Sequence, residues 1–164
     1  MIDNMLNSVV KPVITKNIAI LIPCTSNERN WSNFKETYLF NMTLKSFLLT
    51  YDKEHKYTFY IGIDRNDKIF DNKQNKQSFA RFLGIMKNTN IKFIYLDDAA
   101  KGHLTKMWNI LFESAYKDNN DYFFQCGDDI FFTTKGWVND CIKTLVQHND
   151  MGLVGPINNN MRLL

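Results

Sequence analysis

The chain contains no G-x-G-x-x-G and no glycine-rich basic loop; Pro23-Cys24-Thr25-Ser26-Asn27-Glu28-Arg29 stands where such a loop would follow the first apolar run. The first absence weighs against a Rossmann dehydrogenase and the second against a nucleotidyltransferase. Its three cysteines, Cys24, Cys126 and Cys141, cannot all pair and show no C-x-x-C spacing. They suit a reducing compartment better than a disulfide framework or a zinc site. No window approaches the roughly 20 apolar residues that cross a bilayer. The first residues lack a basic segment followed by an unbroken apolar stretch, so no secretory signal is visible. The net charge is only +3, without a basic block, which argues against nucleic acid as a partner and leaves anionic small molecules open. The expectation is a soluble, cytoplasmic protein without a membrane span.

What is present is apolar and aromatic. Hydrophobic residues make up 45% and aromatic residues 14% of 164 positions, enough for a packed core in one domain that buries roughly two-thirds of its unfolded surface. Residues 1–16 read as an extended lead-in and 17–164 as the domain. Asn17 to Pro23, Tyr57 to Ile63 and the run from Tyr122 read as buried strands and Ile91 to Leu96 as a further strand, with a short fifth strand expected over Met151 to Val154. Helical spacing is expected from about Trp31 to Tyr51, over 71–87 with Phe79, Phe82, Leu83 and Met86 inward, over Leu104 to Tyr116 burying Met107, Trp108, Leu111 and Phe112, and from about Thr134 to His148. Alternation of this kind predicts an α/β, three-layer αβα domain with a mainly parallel sheet, helices on both faces and all strand carboxyl ends along one edge.

Each of those strand ends carries polar side chains. Thr25 and its neighbours follow the first strand, Asp64-Arg65-Asn66-Asp67 the second, Asp97-Asp98 with Lys101 the third, and Gly127-Asp128-Asp129 the fourth. Paired carboxylates beside a strand end suit a hard divalent cation that bridges to phosphate oxygens. The same pair equally suits a turn or a helix cap. His55, His103 and His148 have no ligand-like spacing and read as surface residues.

In order and spacing, Ile20-Leu21-Ile22-Pro23, Ile61-Gly62-Ile63-Asp64, Lys101-Gly102, Asn109, Gly127-Asp128-Asp129, Gly136-Trp137 and Gly152 to Pro156 resemble the nucleotide-sugar glycosyltransferases of the GT-A fold, particularly the family 2 type. The resemblance implies a Rossmann-like nucleotide-diphospho-sugar transferase domain that uses a UDP- or GDP-linked sugar and Mn²⁺ or Mg²⁺, with an acceptor not legible. By it, Asp64 contacts the base, Pro23 and Thr25 line the pocket beside it, and Asp128 accepts from the ribose or holds a neighbouring base. Asp129, with Asp128, holds the metal, Lys101 or Lys106 lies near the phosphates or ribose, and Asn109 occupies a position where the family often has Asn.

Two departures bear on activity. Gly127 stands where the family's acidic motif often begins with Asp. The family's base, acceptor loops and a further metal ligand usually lie beyond the equivalent of Asn160, so the expectation is a donor-binding half with weak transfer or none, and with apolar surface near Met151 to Leu164 that favours self-association. The alternatives are a catalytically inactive nucleotide-binding module and a nucleotidyltransferase.

Overall fold

The computed structural model describes residues 14–96, 102–148 and 150–155. Four strands, β1 (Asn17–Cys24), β2 (Lys56–Ile63), β3 (Thr89–Tyr95) and β4 (Tyr122–Gln125), form one sheet in the order β3-β2-β1-β4. Every pairing is parallel. Helices flank both faces, giving an α/β, Rossmann-like arrangement with all four carboxyl ends on one edge.

Two-residue periodicity divides the core. Ile18, Ile20, Ile22 and Cys24 of β1 face one layer and pack with Leu39, Leu44, Phe47, Phe79, Leu83 and Val138. Ala19 and Leu21 face the other and pack with Tyr60, Leu96, Leu111 and Ala115. The first layer holds α1 (Lys45–Thr50), α2 (Lys73–Leu83) and α4 (Trp137–Gln147), while α3 (Leu104–Lys117) supplies the second.

Strand boundaries fall within two residues of those expected. The expected helix from Trp31 to Tyr51 is instead two pieces: a 3-10 turn (Phe34–Glu36) and a π-helical stretch (Leu39–Leu44) that runs into α1. Polar side chains make the break. Asn33 accepts from the Lys35 N–H, while the Thr37 hydroxyl donates to the Phe34 carbonyl and accepts from the Phe40 N–H, which diverts backbone groups from a continuous ladder.

Three further expectations are corrected. Met151 to Val154 forms no strand: Leu153 is 84% exposed and nothing pairs with the segment among the described residues. An apolar run reports a buried or wall-forming segment, and periodicity alone does not distinguish a ladder from a groove wall. The segment lines a groove of about 550 Å³ beside β4, with Trp108, Phe123 and Trp137. Phe112 is 46% exposed rather than buried, because the sheet is only four strands wide and the ring lies against Phe123 of its edge strand. His55 is buried, accepting from the Lys16 N–H through Nδ1 and meeting Asn139 through Nε2; it ties α4 to the entry of β2, whereas His103 and His148 are exposed.

Among the described residues no helix is long and apolar enough to cross a membrane. Cys24 and Cys126 lie at the carboxyl ends of adjacent strands, both buried and both unpaired. Burial, with Asp128 nearby, pushes both thiols up, so they act as packing groups.

Candidate functional site

The chain winds from β1 through β2 to β3 in one direction and then places β4 on the opposite side of β1. Ligands of open α/β sheets bind outside the carboxyl ends of the strands where the winding reverses. Here that point lies between the loop after β1 and the loop after β4.

Pro23 helps form the first of these loops. The Lys16 carbonyl accepts from the Lys56 N–H, so even-numbered residues of β1 bond toward β2 and Pro23 faces the side of β4. The β4 pairing has already ended there, at Leu21 opposite Gln125, and the missing N–H costs no ladder bond. The following loop is anchored by Ser26, whose N–H and hydroxyl both donate to Asp67 at 2.7 Å. Asp67 also accepts from the Ile69 and Phe70 N–H groups. It is 5% exposed, which makes it the clamp between two strand-end loops and separates its role from that of Asp64.

Asp64 and Thr25 meet as the sequence suggests. The Thr25 hydroxyl lies 3.4 Å from Asp64 Oδ2, and the Asn27 amide approaches the same oxygen at 3.5 Å. Both distances are at the outer limit of a hydrogen bond. A part-exposed carboxylate held this loosely retains acceptor capacity for a ligand donor.

The acidic loop is pinned from the helical layer. The Thr43 hydroxyl lies 2.8 Å from the Asp128 carbonyl and 3.1 Å from that of Ile130, and the Phe132 N–H donates to the Ser46 hydroxyl at 3.0 Å. Gly127 has a reason of its own: a Cβ there would stand 2.7 Å from Asp129 Oδ1. The departure from an Asp at this position is therefore coupled to where the Asp129 carboxylate lies, folded back over the glycine. Burial pushes the Asp128 carboxyl up to about 6, the Asp129 charge adds to this, and Arg29 opposes it. With strands about 4.8 Å apart, the loops after β2 and β4 face each other across β1 at about 10 Å.

No protein-family profile, curated protein or solved structure matches this chain. The arrangement of side chains therefore carries the functional argument.

The remaining expected site residues are placed less centrally. Lys106 is exposed in the first turn of α3. Asn109, further along α3, lines the groove beside β4 together with Gln125, away from the Thr25–Asp64 contact. Lys101 lies outside the described residues, as do Asp97, Asp98, residues 1–13 of the lead-in and residues 156–160. Apart from their being small hydroxyl residues within an apolar helical pattern, nothing in the sequence singles out Thr43 and Ser46, which hold the acidic loop, and nothing separates Asp67 and Arg29 from the other polar residues of their loops.

No group of three or more His, Cys, Asp or Glu side chains forms a metal cage among the described residues. Asp128 and Asp129 still fit one role of a divalent cation: they repel each other, and a cation shared with phosphate oxygens would relieve that repulsion. Burial of the Asp128 carboxyl, with this repulsion added to it, gives a testable sign. With its carboxyl raised above the unfolded value of 3.8, the folded chain binds more protons than the unfolded one between about pH 4 and 6, so stability falls as pH rises through that window. Asp128→Asn is expected to stabilise the metal-free protein by about 1–2 kcal/mol at pH 8, after allowance for partial solvent screening, and to make no difference below pH 4. Denaturant unfolding at both pH values checks this; a destabilised Asn variant at pH 8 would mean that the ionised carboxylate is a structural cap.

Proposed function

We propose that this chain is the donor-binding domain of a metal-dependent glycosyltransferase of GT-A type, taking a nucleoside-diphosphate sugar linked to UDP or GDP. The observation that carries the reading is that Asp64, approached by Thr25 of the loop after β1, and the mutually repelling Asp128–Asp129 pair stand at strand carboxyl ends on the two sides of β1, flanking the winding reversal of a parallel sheet. A ligand with hydrogen-bond donors at one end and a cation-bridged diphosphate at the other matches that charge pattern. Asp64 accepts from the base, Thr25 and Pro23 shape the pocket beside it, and Asp128 accepts from the ribose.

Asp129, with Asp128, would hold Mn²⁺ or Mg²⁺. When bound, the ion supplies positive charge to the departing diphosphate. In the transfer itself, the bond between the anomeric carbon and the diphosphate oxygen breaks with its electron pair going to the diphosphate. The acceptor hydroxyl oxygen bonds to the same carbon, and its proton passes to a base or to water.

Titration calorimetry with UDP and with GDP, each with and without Mn²⁺, tests the reading. The affinity is expected to rise roughly tenfold or more with Mn²⁺, at least about 1.4 kcal/mol, and to show no such rise in Asp129→Ala. Equal affinity with and without the ion would remove the role of Asp129. No binding of either nucleotide would remove the reading altogether.

A further inference from the structure

Arg29 lies in the loop after β1, its backbone held at two points: its N–H donates to the Ser26 carbonyl at 3.1 Å, and its carbonyl accepts from Lys68 Nζ at 2.7 Å. Its guanidinium carbon lies 5.7 Å from the centre of the Trp31 ring and 5.1 Å from that of Tyr38. The two rings meet edge to face at 5.2 Å, and Trp31 is in turn set against Phe70, the residue whose N–H the buried Asp67 caps. The side chain is thus braced by aromatic surface that traces back to the core. None of the three ion pairs among the described residues, Lys76–Asp71, Lys92–Asp118 and Lys117–Glu113, involves it. Its loop, the one after β1, borders the winding reversal on whose other side the acidic loop after β4 lies. A planar fork of N–H donors, exposed and braced on a loop that borders the winding reversal, is suited to bidentate recognition of phosphate.

We propose that Arg29 is the phosphate-recognising residue of this site, gripping the diphosphate of the ligand and making the site select diphosphates over monophosphates. The inference rests on the donor-site reading above and extends it to a residue and a selectivity. The cation on Asp129 and the guanidinium of Arg29 then share the diphosphate charge, and the aromatic brace lowers the entropy lost when the fork engages.

Calorimetry with UDP and UMP in the presence of Mn²⁺, on the wild-type chain and on Arg29→Ala, Arg29→Lys and Tyr38→Leu, tests it. Losing a charge-assisted pair is expected to weaken UDP binding roughly 10–100-fold in Arg29→Ala, with a much smaller change for UMP. Arg29→Lys is expected to recover part of that loss, because it keeps charge without the fork, and Tyr38→Leu to weaken UDP several-fold. Thermal unfolding of each variant identifies any that fails to fold, in which case Arg29→Lys and Tyr38→Leu carry the comparison. Wild-type binding of UDP with unchanged affinity in the Arg29 variants overturns the inference and leaves the donor-site reading standing. So does an equal loss for UDP and UMP, which marks a structural residue. Absence of nucleotide binding by the wild type overturns both.

Discussion

Replacing Asp67 by Ala is expected to lower the unfolding free energy by about 3 kcal/mol or more, because each buried donor left without a partner costs about 1–3 kcal/mol. The carboxylate accepts from the N–H and hydroxyl of Ser26 and from the N–H groups of Ile69 and Phe70. Water entering the space offsets part of that loss without restoring the geometry. The effect extends to the site, since Ser26 is the anchor between Thr25 and Asn27, both of which approach Asp64. Asp67→Asn nearly conserves size but turns an N–H₂ group toward donors, and is expected to recover less than half of the loss. Denaturant unfolding of the two variants measures the stability, and UDP titration measures the site. A loss under about 1 kcal/mol in the Ala variant would show that the clamp is dispensable and the loop held by other contacts.

Phe47→Ala is expected to cost about 3–5 kcal/mol, the range for deleting a buried aromatic ring. Phe47 is fully buried. Its ring stacks on Tyr51 at 5.5 Å and meets Tyr57, Phe59 and Phe132 edge to face at 5.0, 5.0 and 5.5 Å. It therefore joins α1, the central strand β2 and the segment that leaves the acidic loop. Aromatic pairs of this geometry add about 0.5–1.5 kcal/mol each beyond area burial, so the upper part of the range is expected. Phe47→Leu, which fills part of the space, should retain more than half of the stability lost. Unfolding midpoints for both variants test this, and similar losses for Leu and Ala would show that ring geometry, rather than volume, holds the layer.

Much of this architecture is legible in the sequence. The apolar run Ile18 to Ile22 is buried on both faces, as a strand inside a covered parallel sheet requires, whereas the aromatic run after Asp121, expected to be buried as well, forms the edge strand β4 and is only partly covered. The helical segments that alternate with them then leave one edge for all the carboxyl ends, so the juxtaposition of Thr25 with Asp64 followed from topology. Elements with weaker patterns were misread. Met151 to Val154 has strand composition and lies along a groove without a ladder. His55 has an undistinguished sequence neighbourhood, yet it is enclosed once β2 and α4 come together.

The order and period of apolar residues settled that a parallel α/β sheet forms and which loops share an edge, because burial of alternating faces is a local property of the chain. The division of labour among the carboxylates was decided only by packing. Asp64 and Asp67 are three residues apart and chemically identical, yet one accepts two long contacts and stays part-exposed while the other is sealed by four short ones. Likewise, nothing near Asp128 in the chain shows that Thr43, 85 residues earlier, holds its carbonyl, or that Asp129 folds over Gly127. Those contacts exist because the helical layer is pressed onto the sheet, and long-range packing rather than local pattern sets where each charge points.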